Sequence, residues 1–204
     1  MIALFYDTET TGLPLWEQPS SDENQPHIVQ LAAALVDLET RVTIASMNVI
    51  VRPSGYTIPE EVAAIHGITS ARALKFGVSE SIAVEMLTEL WDRCEVRIGH
   101  NEKFDARIIR IALIRHLATI GRDPDQWKDG DAKCTLIMSK PILKLPATAA
   151  MRAAGRYHYK SPNLREAFQH FAGVELQGAH DAMNDVLACQ RVYFSIQGMA
   201  DSTN

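Results

Sequence analysis

Hydrophobic and polar positions divide the chain into a strand-rich opening and a largely helical remainder. Residues 2–6 (Ile-Ala-Leu-Phe-Tyr) form an apolar run that stops at Asp7, which predicts a buried strand with polar groups at its C-terminal end. The runs 28–36 and 42–51 predict two more strands, joined through the short polar link Asp37–Arg41 as an antiparallel hairpin. Residues 13–27, with three prolines and two serines, predict a surface loop longer than most. Pro59 opens a helical turn at its favoured first position. Ile82, Met86, Leu87, Leu90 and Trp91 recur at helical spacing within 80–93. Val96–Gly99 is a short apolar strand, and Asn101 is placed to cap a helix over Glu102–Ile120. The polar stretch 121–131 holds Asp-Pro and Asp-Gly turn signals and predicts a loop. Residues 140–162 look irregular and suit a flap over a site. Helices over 163–172 and 181–196 close the pattern, the last carrying Met183, Val186, Leu187, Val192 and Phe194. Strands first, then strands alternating with helices, predict one α/β domain with a mixed sheet.

Composition narrows this without redirecting it. The 204 residues are 47% hydrophobic and 22% charged, which excludes a disordered chain. Three cysteines (Cys94, Cys134, Cys189) form no close pair, which excludes a disulfide framework and suits a reducing compartment. Asp7 and Glu9 fall where a secretory signal would need apolar residues, so a cytoplasmic protein is expected. The longest apolar stretch, around 108–120, is broken by Arg110, Arg115 and His116, so no membrane partner is expected.

Charge is unevenly spread. Net charge is −5, yet residues 1–40 hold seven acids and no Lys or Arg, while 132–165 hold seven Lys and Arg and no acid. Such a basic stretch can steer a polyanion although the total is negative, or simply be a solvated face.

Three short constellations carry candidate chemistry. On a strand, Asp7 and Glu9 share a face with Cα atoms roughly 6.5–7 Å apart. Carboxylates held that close need a raised pKa or a cation, and a hard divalent ion with oxygen ligands satisfies them. The pair alone is equally an exposed turn. In His100-Asn101-Glu102-Lys103-Phe104-Asp105, Asp105 lies near a helix start, where an acid also matches the helix dipole. In His180-Asp181-Ala182-Met183-Asn184-Asp185, His180 and Asp185 would lie about 140° apart on a continuous helix. They converge only if His180 precedes the regular helix, which Gly178 and a capping Asp181 permit. Together, four carboxylates and a histidine fall at strand ends and helix starts, where α/β sheets place their sites.

The segments Phe5-Tyr6-Asp7-Thr8-Glu9-Thr10-Thr11-Gly12-Leu13, His100-Asn101-x-x-Phe104-Asp105 and Ala179-His180-Asp181-Ala182-x-x-Asp185 resemble the three motifs of the DnaQ-like 3′–5′ exonucleases. Ile65-His66-Gly67-Ile68-Thr69 is similar to a segment that family carries between its first and second motifs. Their order and separation fit across residues 5–185, and a histidine five residues before the last aspartate marks the DEDDh branch. The resemblance implies one exonuclease domain over 1–198 with a tail at 199–204. It implies an RNase H-like α/β fold: a five-stranded mixed sheet, three strands antiparallel and the rest parallel, with helices on both faces. It also implies two Mg²⁺ or Mn²⁺ ions, bridged by Asp7, with Glu9 and Asp185 completing one site and Asp105 holding the other. His180 would be the general base, with Asp181 an alternative ligand to Asp185.

The implied activity is hydrolysis of terminal phosphodiesters at the 3′ ends of DNA, in single strands or frayed ends, to nucleoside 5′-monophosphates. An RNA trimmer and a catalytically silent, polymerase-associated binding module are the competing expectations, with a DNA polymerase as a further partner. Expected substrate contacts are Thr10, Gly12, Leu13, His66, Asn101, Phe104 and Lys160, the last in the basic stretch that suits upstream phosphates. Trp16 either stacks on a base or anchors the 13–27 loop.

Overall fold

The computed structural model describes residues 1–201, the last two by backbone alone. The strands are β1 (Ile2–Thr10), β2 (Ile28–Asp37), β3 (Thr43–Ile50), β4 (Val96–Gly99) and β5 (Ala132–Cys134). The helices are α1 (Glu60–His66), α2 (Ser70–Phe76), α3 (Glu80–Trp91), α4 (Glu102–Arg115), α5 (Leu117–Ile120), α6 (Pro124–Asp129), α7 (Thr135–Leu143), α8 (Ala149–Ala153), α9 (Leu164–Ala172) and α10 (Ala182–Asp201). They build one five-stranded sheet in the order β3-β2-β1-β4-β5. β1, β2 and β3 pair antiparallel, and β4 and β5 add in parallel, the mixed sheet expected from the sequence.

Alternation along β1 sets the two layers. Ala3 and Phe5 meet Ala182, Val186, Cys189 and Tyr193 of α10. Leu4 and Tyr6, on the opposite face, meet α3 and α4 through residues such as Leu87, Ile108 and Ile109. β2 is buried almost throughout because helices cover both faces, which explains its unbroken apolar run. No described helix is long and apolar enough to cross a membrane.

Several sequence expectations are corrected. The expected 121–131 loop contains α6, with Asp123 as cap and Pro124 at its start. Its purpose is Trp127, which is fully buried, packs edge-on against Tyr6 and Trp91, and donates its Nε1–H to the Ala106 carbonyl at 3.1 Å. Pro59 is the residue before α1 rather than its first turn. Asn101 takes a left-handed conformation (φ 68°) and makes no side-chain cap. The 140–162 flap is partly helical, holding the end of α7 and all of α8. Of the expected 199–204 tail, 199–201 end α10 and 202–204 lie outside the described residues.

The expected helix over 102–120 breaks at His116, where the backbone leaves the helical region (φ −110°). The His116 side chain instead reaches Glu80 at 2.8 Å. Glu80 is buried and also contacts Arg115 at 3.0 Å, the Ile28 amide at 2.9 Å and His27 at 3.4 Å. Burial alone would raise its carboxyl pKa. The contacts from His116 and His27, with Arg115 and the Ile28 amide, override that and hold it far below its ordinary 4.5. Its contribution to stability is therefore present above pH 4.5 and lost as acid titrates it. Glu80→Ala leaves the half-buried Arg115 guanidinium, two imidazoles and the Ile28 amide without their shared acceptor and should cost about 3 kcal/mol, read as a lower urea midpoint at pH 7. An unchanged midpoint would show that the cluster is not structural.

Candidate active site

β1 does not stop with its apolar run. It continues to Thr10, carrying Asp7 and Glu9 on the face shared by Ala3 and Phe5, against which α10 packs. Opposite Glu9 on β2 stands Gln30. Its amide accepts from the Ala182 N–H at 3.2 Å and donates to Asp181 Oδ2 at 3.1 Å, pinning the start of α10 beside β1. Asp181 also accepts from the Met183 and Asn184 amides at 3.2 Å each. Both its oxygens thus serve the helix start, and Asp185 is the carboxylate left to line the site.

His180 does precede the regular helix, in a left-handed conformation (φ 68°), after Gly178 at φ 66°. A side chain at Gly178 would be strained by that left-handed φ, and its Cβ would displace the Asn184 amide, 2.6 Å away. This bend turns His180 back over α10, and its amide donates to Asp185 Oδ2 at 3.2 Å. Candidate ligand atoms of Glu9, His180 and Asp185 then all lie within 4.8 Å of one another. Residues from β1, a turn and α10, far apart in sequence, meet through the Gln30 clamp.

Asp105 arrives from α4. Its Oδ1 accepts from the Thr8 amide at 3.0 Å and from the Thr8 hydroxyl at 2.7 Å, fixing the carboxylate beside β1.

Electrostatics tie these groups together. Asp7 is pushed well above the ordinary carboxylate range by burial, then by Asp105, Asp185 and Glu9. Glu9 is raised to about 8 by burial, then by Asp185 and Asp105. Asp105 is raised to about 7, burial outweighing the two hydrogen bonds from Thr8. Asp185 is also raised, chiefly by burial, although the His180 amide opposes the shift, and its Oδ1 is buried without a hydrogen-bond partner. Like-charged oxygens with unfilled bonding capacity suit a hard cation.

The family model described as Exonuclease matches residues 4–193. The chain belongs to this exonuclease family. Three solved structures of exonuclease I, the first two from Escherichia coli, share the fold. The complex with a dT13 oligonucleotide matches at 22% identity and TM-score 0.72, covering 99% of this chain and 43% of that one. The zinc-bound complex with single-stranded DNA gives 21% and 0.70, covering 97% and 40%. The product-bound form gives 21% and 0.69, covering 97% and 43%. The chain thus spans about two-fifths of the length of these proteins. No curated protein matches it.

Other expected contacts of the exonuclease fall in varied settings. Leu13 is 77% exposed just beyond β1, and Gly12 has open space around it. The Thr10 hydroxyl donates to the Gly12 carbonyl at 2.7 Å and so shapes the exit turn. His66 is buried; its Nδ1 accepts from the Ile68 amide at 3.1 Å and its Nε2 has no partner. Burial and then the charge of His180 lower its pKa, which places it near the site. Phe104 packs against the core, and Asn101 is exposed. Lys160 is ion-paired with Glu166 and is not a free cation.

Sequence reasoning did not single out Gln30, Thr8 or Arg165. Arg165 shares a small cavity of about 110 Å³ with His180 and Asp185 and lowers the Asp185 pKa. Only its membership of the basic stretch hinted at this.

The raised carboxyl groups predict an unusual pH response. Folded Glu9 keeps a proton up to about pH 8 that the unfolded chain releases near 4.5. Stability is therefore lost as pH rises through that window, and the shifts of Asp7, Asp105 and Asp185 act in the same direction. In EDTA the melting temperature should fall between pH 5.5 and 8, and Mn²⁺ should raise it most at pH 8. A melting temperature that climbs to pH 8 in EDTA, without a response to Mn²⁺, would contradict the crowding.

Proposed function

We infer that the chain is a metal-dependent 3′–5′ exonuclease that removes nucleoside 5′-monophosphates from single-stranded or frayed DNA ends. The observation that carries this reading is the meeting of Glu9, His180 and Asp185 within 4.8 Å, flanked by Asp7 and Asp105. The oxygen-rich donor set and the unpartnered Asp185 Oδ1 fit divalent cations, for which Mg²⁺ and Mn²⁺ are the proposed ions. Asp7, Glu9, Asp105 and Asp185 would hold them. When bound, such ions neutralise phosphate oxygens and lower the pKa of water.

The remaining chemistry belongs to the chain. The His180 ring, exposed at the mouth of the site, accepts the proton of the attacking water. The water oxygen bonds to phosphorus as the bond to the upstream 3′-oxygen breaks, and that oxygen takes up a proton from solvent. The phosphate leaves on the terminal nucleoside. Leu13, exposed just beyond the end of β1, would press on the terminal base. The dT13 and dA16 strands in the exonuclease I structures support a DNA strand as substrate.

Digestion of 5′-labelled single-stranded DNA and RNA of one sequence, with Mn²⁺, tests the reading. A ladder shortened from the 3′ end on DNA is expected. Preferential RNA shortening would reassign the substrate, and intact strands of both kinds would contradict the nuclease reading.

A further inference from the structure

A second cavity, of about 530 Å³, lies against α4 and contains none of the five site residues. Lys103, Arg107 and Arg110 line it from a stripe of α4 that helical spacing sets opposite Asp105. Trp16 enters from the 13–27 loop, Lys128 from α6 and Arg97 from β4.

Its charge is largely uncompensated. Arg97 is offset by Glu102 at 3.4 Å, and Arg110 by Asp125 at 2.7 Å. Arg107 donates only to a neutral carbonyl, that of Gln18 at 2.6 Å, so its charge persists. The Lys103 ammonium lies over the Trp16 ring, 5.4 Å from its centre, and Lys128 makes no direct ion pair among the described residues, although its charge is felt by Asp125. Lys103 and Arg107 therefore remain without a carboxylate, with Lys128 only partly offset, in a cavity that also holds an indole 48% exposed. The 13–27 loop is already held to α4 through Gln18 and Ser20, so it does not need Trp16 as an anchor. An aromatic ring and several cations lining one cavity suit a base joined to phosphate.

We propose that this cavity binds a nucleotide, with the base on Trp16 and phosphate among Lys103, Arg107 and Lys128. Two sources share that chemistry: the upstream part of the strand being trimmed, or the released nucleoside 5′-monophosphate. Either assignment rests on the strand-trimming reading above for its source, but the binding chemistry does not.

The test is equilibrium binding in EDTA, where cleavage does not compete. The probes are 5′-labelled thymidine oligonucleotides of two and twelve residues and thymidine 5′-monophosphate. Wild type is compared with Trp16→Ala, Trp16→Phe and Lys128→Ala. For a strand site, Trp16→Ala weakens the long oligonucleotide about tenfold and Trp16→Phe restores most of the loss. Lys128→Ala then lowers the slope of log affinity against log salt by about 0.7, and dinucleotide binding is unchanged. For a product site, the monophosphate affinity falls and that of the long strand does not. Variants that bind all three probes like wild type overturn the cavity assignment. If wild type still shortens DNA in Mn²⁺, the nuclease reading survives that result. If binding depends on Trp16 but no DNA is shortened, the cavity stands and the nuclease reading falls.

Discussion

Asp7→Asn is expected to abolish strand cleavage while raising the melting temperature in EDTA. The two effects share one cause. Asp7 sits among Asp105, Asp185 and Glu9, and burial with their repulsion pushes its carboxyl far above the ordinary range. Ionised, it is a strong oxygen donor for a cation and a burden on the metal-free fold. Asparagine keeps the shape but removes the charge. Loss of a proposed cation ligand should leave less than about a tenth of the wild-type rate, since an amide does not replace a ligand carboxylate. Relief of repulsion should raise the melting temperature at pH 8 by a few degrees, at about 2–4 °C per kcal/mol for a chain of this size. Such a trade of stability for function is common at active sites. A variant that keeps most of its rate would remove Asp7 from the ligand set, and one that melts lower in EDTA would show that the carboxylates are not in conflict.

His180→Ala should lower the rate by roughly 10²–10⁴ at neutral pH, the range lost with a general base. His180 is exposed and held by its backbone, through the left-handed turn and the amide bond to Asp185. Removing its ring therefore leaves Asp185 in place and should barely move the melting temperature. Because hydroxide can replace a missing base, the deficit should shrink as pH rises. A variant with wild-type rate at pH 7, altered only in its choice of Mg²⁺ or Mn²⁺, would make His180 a ligand and not the base.

The sequence carried the site's chemical groups more openly than their supports. Asp7, Glu9, Asp105, His180 and Asp185 stood out because acids and a histidine interrupt apolar runs at element ends. Gln30 looked like any polar residue in a strand, since its contacts with Asp181 and Ala182 span more than 150 positions. Thr8 was equally silent, its partner Asp105 lying 97 residues away. In the fold, the first three strands followed from patterning, because burial on one or both faces writes itself into alternation or continuous apolarity. β5 is three residues long and exists through pairing with β4, which no local pattern announces. α6 was hidden because Trp127 is its only buried residue in an otherwise polar hexapeptide. The break at His116 belongs to the remote Glu80, whose pull overrides an apolar pattern that could have continued.

The central claim is that the Glu9, Asp185 and Asp7 carboxylates jointly hold a divalent cation. Anomalous diffraction from Mn²⁺-soaked crystals of the full chain reads this without reference to activity. The account predicts a manganese peak bounded by those carboxylates. A peak elsewhere on the surface, with these oxygens bound to nothing at saturating Mn²⁺, would contradict it.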